Sequence, residues 1–525
     1  MAVRSTRAVT PGENMGIGKL ERCARLLPFA LIALLLAPAF AQPSLGELRA
    51  ATEQQPENLE AWVNLGNALL SEERNEPAKD AFLEAIALDY LSGDAHFGLG
   101  LAEFGRGDFQ AALFAFNEVT RLYPERFDGH YNRAVTLARL RRPGDSAEAF
   151  REAVAQAEPE ASPPELADAY IGLADQLKRS ADFGGAADAY GEALANEPTT
   201  DTLELRYLRA DALYRAGRGL EALSDLTDLE GESTDYRVSS LIADIYIDQG
   251  QVDYALRALE RGIRSALAED NVQVRANLLV KLGLLQRQLG RDAEAAASFQ
   301  QAAQIDTASW EALYNLGVSY LEMGQADEAA DVLEEAANLS GAGGEVNLAL
   351  ASALEQLGRL DEAMASSRAA IDRLEDAELA AQARLILGRT FYRQGEFRQA
   401  ATILAQVVQE RPSDPQAQLW AGLAEYQQGN YRTAAQYYER AVQLAPNSAE
   451  ARANLGAAYL ASERFGDAEA VYELLVQQNP EDAESQYNLG WALMSQNRRA
   501  AAREAWQRAG ELGYGPANEA LSQYF

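Results

Sequence analysis

The chain is poor in the residues that most chemistry needs. Its 525 residues include one cysteine and two histidines, which leaves no material for a disulfide framework, a zinc site or a histidine-based catalytic dyad. Basic side chains are also short, 46 against 79 acidic ones for a net charge of −33. Such a surplus repels the phosphates of nucleic acids and of anionic lipids rather than releasing their counterions, so no nucleic acid partner is expected. Only 17 prolines occur, too few for a collagen-like or proline-rich disordered chain. Long apolar runs are scarce: one unbroken stretch from Leu26 to Ala41 has 16 residues, short of the roughly 20 that a helix needs to cross a bilayer. The sequence also lacks a phosphate loop, a nucleophile motif and clustered metal ligands, so neither a cofactor nor enzymatic activity is expected. What is present, 48% hydrophobic and 24% charged residues, suits a core packed in water. The length fits several ordinary domains or one architecture without an intrinsic size limit.

The apolar stretch has the form of an export leader. Arg22 and Arg25 precede it, and Ala39-Phe40-Ala41 before Gln42 supplies the small-x-small pattern of a cleavage site. Residues 1–41 are therefore expected to be a signal peptide, with Met15 as an alternative start, and the mature protein is expected to be periplasmic or secreted. An uncleaved leader acting as an anchor is the alternative. Cys23 would leave with the leader, and so would five basic and two acidic residues, giving 41 basic against 77 acidic and a mature net charge of −36.

One pattern organises the rest. Trp62-x2-Leu65-Gly66, Leu313-x2-Leu316-Gly317, Arg452-x2-Leu455-Gly456 and Gln486-x2-Leu489-Gly490 fall in one frame with a period of 34 residues. Thirteen copies start at 59, 93, 127, 167, 203, 236, 276, 310, 344, 381, 415, 449 and 483. The eighth place is always Gly or Ala, for example Gly66, Gly100, Ala134, Gly422 and Gly490, and the twentieth is Ala in every copy but one, which has Ser146. Small residues at two fixed places are what two closely crossing helices require. Large residues recur at the twenty-fourth place, among them Phe82, Phe116, Phe150, Tyr190, Phe299, Tyr438, Tyr472 and Trp506, and Pro124, Pro198, Pro412, Pro446 and Pro480 fall just past the second helix.

This pattern resembles the tetratricopeptide repeat (TPR) family, and the resemblance covers nearly the whole mature chain. It implies an all-α fold, a right-handed α-solenoid superhelix of about 13 helix-turn-helix repeats. Extra residues at 161–166, with Ser162-Pro163-Pro164, and at 270–275 divide the array into repeats 1–3 over 59–160, repeats 4–6 over 167–269 and repeats 7–13 over 276–516. Smaller insertions fall at 201–202 and 378–380. Residues 42–58 are expected to form an N-terminal capping helix and 517–525 a C-terminal tail.

The resemblance further implies a concave groove lined by first helices, at the fifth, sixth, ninth, twelfth and thirteenth places. The sixth holds Asn64, Asn132, Asn315, Asn454 and Asn488. An amide can donate to one backbone carbonyl and accept from one N–H, so a ladder of Asn can grip an extended peptide whatever its side chains. The alternative is that the amides face water or a neighbouring turn. The fifth place adds Tyr131, Tyr207, Tyr314 and Tyr487 and the ninth Trp491, aromatics that either anchor a peptide or pack between repeats. Residues 381–448 carry seven Arg against five acidic residues in an otherwise acidic chain. Within them Arg389 and Arg393, one helical turn apart, are expected to point inward with Tyr392, Trp420 and Tyr426, where a paired guanidinium could take a carboxylate. The alternative is pairing with acidic residues of adjoining repeats. The Lys and Asn clamp of chaperone-binding members is not reproduced, since Val63 and Asp128 stand where it has Lys, with Asn67 at its Asn position. His96 and His130, in the fourth place of successive repeats, are read as packing residues.

The function expected is a non-catalytic scaffold binding peptide segments or partner proteins in the groove. The alternative is an assembly component of a cell-envelope polysaccharide synthesis or secretion complex. An enzymatic reading would need a catalytic domain outside the repeats.

Overall fold

The computed structural model describes residues 43–157 and 161–525, so the expected leader lies outside the described residues. Among these the structure holds 28 helices and no strand. The chain divides into two compact units, the first ending at Asn271 and the second running Val272–Phe525.

The first unit opens with α1 (Leu45–Gln54), capped by Ser44 in a reciprocal box with Glu47. Six helix pairs follow. They are α2 (Leu59–Ser71) with α3 (Asn75–Leu88), α4 (Gly93–Arg106) with α5 (Phe109–Leu122), and α6 (Phe127–Arg139) with α7 (Pro143–Ala155). Next come α8 (Pro163–Arg179) with α9 (Phe183–Ala195), α10 (Thr202–Arg215) with α11 (Gly219–Glu232), and α12 (Tyr236–Asp248) with α13 (Val252–Ala268).

The second unit has seven pairs and a final single helix. Its pairs begin with α14 (Val272–Gln288) and α15 (Asp292–Ile305), α16 (Trp310–Glu322) and α17 (Ala326–Asn338), α18 (Gly344–Leu357) and α19 (Leu360–Arg373). They continue with α20 (Ala377–Arg393) and α21 (Phe397–Glu410), α22 (Pro415–Gln427) and α23 (Tyr431–Leu444), α24 (Ala449–Ala461) and α25 (Phe465–Gln478), α26 (Ala483–Ser495) and α27 (Arg499–Glu511). The last helix is α28 (Gly515–Tyr524).

The periodic small residues set the packing inside each pair. A Cβ on Gly66, Gly422 or Gly456 would lie 2.6–2.7 Å from the ring of Phe82, Tyr438 or Tyr472, which is the twenty-fourth residue of the same repeat. The eighth place is small because the twenty-fourth is large, and the aromatic fills the space between the two helices completely: Phe82, Phe116, Phe150, Phe299 and Trp506 are all fully buried. The same rings also reach forward. Phe82 and Phe150 press on Gly98 and Gly172, in the sixth place of the next repeat.

The fourth place makes a second recurring contact. Trp62 Nε1 donates to the Pro56 carbonyl at 3.0 Å, His96 Nε2 to Tyr90 at 2.9 Å, His130 Nε2 to Pro124 at 2.8 Å and Gln418 Nε2 to Pro412 at 3.2 Å. In each case a first helix is tied to a carbonyl six residues earlier, in the turn that leads into it. The two histidines are packing residues held this way. His130 also meets Glu152 through Nδ1 at 3.1 Å.

Two expectations are corrected. Most of the inserted residues become helix: α8, α14 and α20 each have 17 residues where most first helices have 13 or 14. About four extra residues make one added turn. Pro163 and Pro164 occupy the first turn of α8, where a missing N–H costs nothing, behind the Ser162–Glu165 capping box. The tail expected over 517–525 is instead part of α28, whose Ala517 and Ala520 are buried against Trp506.

In the second unit every successive pair of first helices is in contact, as are α2 with α4, α6 with α8 and α10 with α12 in the first, while second helices meet the next repeat mainly through its first helix. Each stack therefore curves with its first helices on the inner face.

Candidate functional site

In the first unit that inner face holds a cavity of about 430 Å³ over α10 and α12. Tyr207, Asp211, Tyr214 and Arg215 line it from α10, in the fifth, ninth, twelfth and thirteenth places of their repeat. Tyr236, Arg237, Ser240, Leu241 and Asp244 complete it from α12. The fifth place of this second repeat is Ser240, and its small side chain leaves the room that a tyrosine there would fill.

Ion pairs and hydrogen bonds fix the wall. Arg237 forks between Glu204, at 2.6 and 3.1 Å, and Asp235, at 2.6 and 2.8 Å, with its guanidinium 4.6 Å from the centre of the Tyr207 ring. Burial works against that charge, yet the bonds to Glu204 and Asp235 hold it above the usual arginine range. Arg215 pairs with Asp211 at 3.0 Å, and the Tyr214 hydroxyl donates to Asp248 at 2.7 Å. Burial raises the phenols of Tyr207, Tyr214 and Tyr236, and the Asp248 carboxylate adds to the rise at Tyr214. All three stay neutral donors with intact aromatic faces.

In the second unit the residues expected to meet an acidic ligand do come together. Arg389 lies 5.4 Å from the Trp420 ring, and Tyr392 packs edge-on against Trp420 at 5.5 Å. The guanidiniums are already engaged. Arg389 Nε sits 2.9 Å from Glu355 Oε1, and Arg393 Nη1 donates to the Glu355 carbonyl at 3.0 Å with its carboxylate 3.8 Å away. Glu355, on α18 in the preceding repeat, is 4% exposed. Burial raises its carboxyl above the usual range, against the pull of Arg389 and Arg393. The pairing alternative therefore holds here, and a free paired guanidinium does not. Tyr426 stands one repeat on, against Tyr431 at 5.0 Å.

Tyr487 and Trp491 belong to a further aromatic cluster under α28. Tyr487 lies 5.1 Å from Tyr514, and Trp491 lies 5.2 Å from Trp506 and 5.6 Å from Tyr524. They pack the end of the stack.

The Asn residues do not share one surface. Asn132 is 1% and Asn315 8% exposed, and their amides donate at 2.8 Å to the carbonyls of Asp128 and Glu311, four residues back in their own helices. Neither can grip a ligand. The sixth place faces the preceding repeat, as its Gly98 and Gly172 show. Asn64 is exposed, while Asn454 and Asn488 are half-buried.

Sequence reasoning missed Glu355 and most of the cavity. The signal for the cavity was available: of the groove places in the fifth repeat, four hold Tyr207, Asp211, Tyr214 and Arg215, none of them aliphatic. Among the described residues no group of three or more His, Cys, Asp or Glu could hold a metal ion. None of the described helices is long and apolar enough to cross a membrane.

Stacked helix pairs with a small residue in the eighth place of each repeat, packed in most repeats against an aromatic or leucine in the twenty-fourth, define an α-solenoid of helical repeats. The family can be given. Models described as tetratricopeptide repeat match residues 44–89, 72–126, 97–162, 171–233, 314–378, 348–397 and 385–449. Further models of that description match 425–486 and 483–508, and one described as TPR repeat matches 283–324. The chain belongs to the tetratricopeptide repeat family. Among solved structures it is similar to Naa15/Naa10 bound to HypK-THB, at 13% identity over 88% of this chain and 77% of that one, with a TM-score of 0.41. It is also similar to YrrB, a TPR protein with an unusual peptide-binding site, at 22% identity over 36% and 95% of the two chains and a TM-score of 0.32. PilF of Pseudomonas aeruginosa matches at 20% identity over 42% and 97%, with a TM-score of 0.36. Comparison with curated proteins finds none that matches.

Proposed function

We propose that the protein is a non-catalytic scaffold that holds segments of partner proteins against the inner faces formed by its first helices. The observation that carries this is the cavity over α10 and α12, where four groove places of one repeat and the opening residues of the next supply three tyrosines and charged side chains at one concave surface. Aromatic side chains provide large contact area at low cost in conformational freedom, as peptide-binding surfaces require. The Arg389, Tyr392 and Trp420 cluster is a second surface of the same kind, with its charge already paired. The leader sequence at 1–41 supports an exported scaffold, and with it a role in assembling an envelope complex.

The test is selection of displayed random peptides on the full chain, followed by binding measurements on a Ser240→Trp variant that fills the cavity. The selected peptides should bind this variant at least roughly tenfold more weakly. Equal binding to both proteins would sink the assignment of the cavity as the ligand site.

A further inference from the structure

We infer that the cavity over α10 and α12 receives an uncharged aromatic side chain from the bound partner segment, a conclusion that rests on the scaffold reading above and specifies its ligand. The repeat pattern points this way first. The fifth place holds Tyr131, Tyr207, Tyr314 and Tyr487 in four repeats, but Ser240 in the sixth repeat, where the cavity lies. Elsewhere a tyrosine in that place packs against another ring: Tyr131 meets Phe150 edge-on at 5.7 Å, and Tyr487 lies 5.1 Å from Tyr514. Beside Ser240 the surrounding rings are in place, Tyr207 and Tyr214 from α10 and Tyr236 from α12, while the chain supplies no ring of its own at the fifth place. An aromatic side chain of the partner takes that room.

The charges of the wall exclude the other large guests. The lining carries two guanidiniums, Arg215 and Arg237, and two carboxylates, Asp211 and Asp244. Arg215 pairs with Asp211, Arg237 pairs with Glu204 and Asp235 outside the lining, and Asp244 is not without a partner. A carboxylate or a cation entering the cavity would give up its water and meet groups that are already engaged, a loss that a neutral guest avoids. A cation over Tyr207 would in addition face Arg237, whose guanidinium lies 4.6 Å from the centre of that ring. Three tyrosine rings and Leu241 give a neutral guest an apolar wall. Rings in edge-to-face contact gain more than their buried area alone provides, so among neutral guests an aromatic one is favoured over an aliphatic one. A cavity of about 430 Å³ has room for a whole ring.

The test uses the full chain and a displayed peptide whose binding Ser240→Trp weakens. Alanine replacement along that peptide locates the residue that enters the cavity, as the one whose loss matters to the unaltered chain and not to Ser240→Trp. Synthetic versions then carry phenylalanine, cyclohexylalanine, arginine or glutamate at that position, and fluorescence anisotropy reads their affinities. Phenylalanine should bind at least roughly threefold more tightly than cyclohexylalanine and at least roughly tenfold more tightly than arginine or glutamate. Ser240→Tyr, which restores the ring that other repeats carry, should weaken the phenylalanine peptide at least about tenfold while its alanine version changes less than about twofold. Equal binding of phenylalanine and cyclohexylalanine, an arginine or glutamate version as tight as phenylalanine, or an unchanged affinity for Ser240→Tyr overturns the aromatic guest and leaves the scaffold reading standing. If no selected peptide responds to Ser240→Trp, the cavity assignment itself falls and this inference with it.

Discussion

The surfaces around α10–α12 and around α20–α22 invert what their local composition suggests. The second carries the chain's arginine-rich stretch, yet Arg389 and Arg393 close on Glu355, Arg384 on Glu410, and Arg411 on Glu378 and Asp414. The first looks like ordinary acidic repeat surface, yet Arg237 and Arg215 pair there with Glu204, Asp235 and Asp211 around a cavity walled by three tyrosines. In a stacked array the charge available to a ligand is set by the facing residue one repeat away. A count along the chain measures only what has been supplied.

Removing the closing residue breaks this comparison most directly. Glu355→Ala should leave Arg389 without its carboxylate between α18 and Trp420, at a cost of about 3 kcal/mol. Urea unfolding and faster hydrogen exchange in α18 and α20 would measure it, and a loss below about 1 kcal/mol would show that the pair does not hold these repeats together. Next in size is Gly422→Ala, which brings a methyl group within 2.6 Å of the Tyr438 ring and should cost about 2 kcal/mol. Its counterpart beside the cavity, Ala243→Gly, takes a methyl group from a buried position in α12 and should cost about 1 kcal/mol, read from the same unfolding curves.

A smaller effect is one of pH. Burial raises Glu355 above the ordinary glutamate value of 4.5, so between that value and the raised one the folded chain holds a proton that the unfolded chain has released. The stability this contributes is complete below 4.5 and is lost as pH rises through the raised value. Glu355→Gln should remove that slope from a plot of Tm against pH. The smallest effect expected is that of Arg393→Ala, a side chain 41% exposed, at about 0.5 kcal/mol or less by urea unfolding.

The fold was legible because its determinants sit at fixed places. Gly or Ala in the eighth and an aromatic in the twenty-fourth are two halves of one contact, repeated often enough to be seen without coordinates. The insertions were misread as breaks because an added turn at the start of a helix and a loop look alike when proline opens both, as at Pro163. The Asn residues failed for a different reason. Whether the sixth place faces solvent depends on the ring that the preceding repeat presents, and Asn132 is buried where Asn64 is exposed. Glu355 was missed because its partner Arg389 stands 34 residues away, in the next repeat. The cavity was half visible: Tyr207 was noted, but the space beside it exists because Ser240 is small.

The ties made by the fourth place have a consequence for how such a chain can change. Trp62, His96, His130 and Gln418 each reach a carbonyl only six residues earlier, and the small-to-aromatic contact stays inside one repeat. A recombination event that duplicates or deletes one full period therefore cuts neither, wherever it joins equivalent turns. Lengthening the array requires no compensating substitution in these contacts, whereas an insertion between the eighth and twenty-fourth places would separate the two halves of the second.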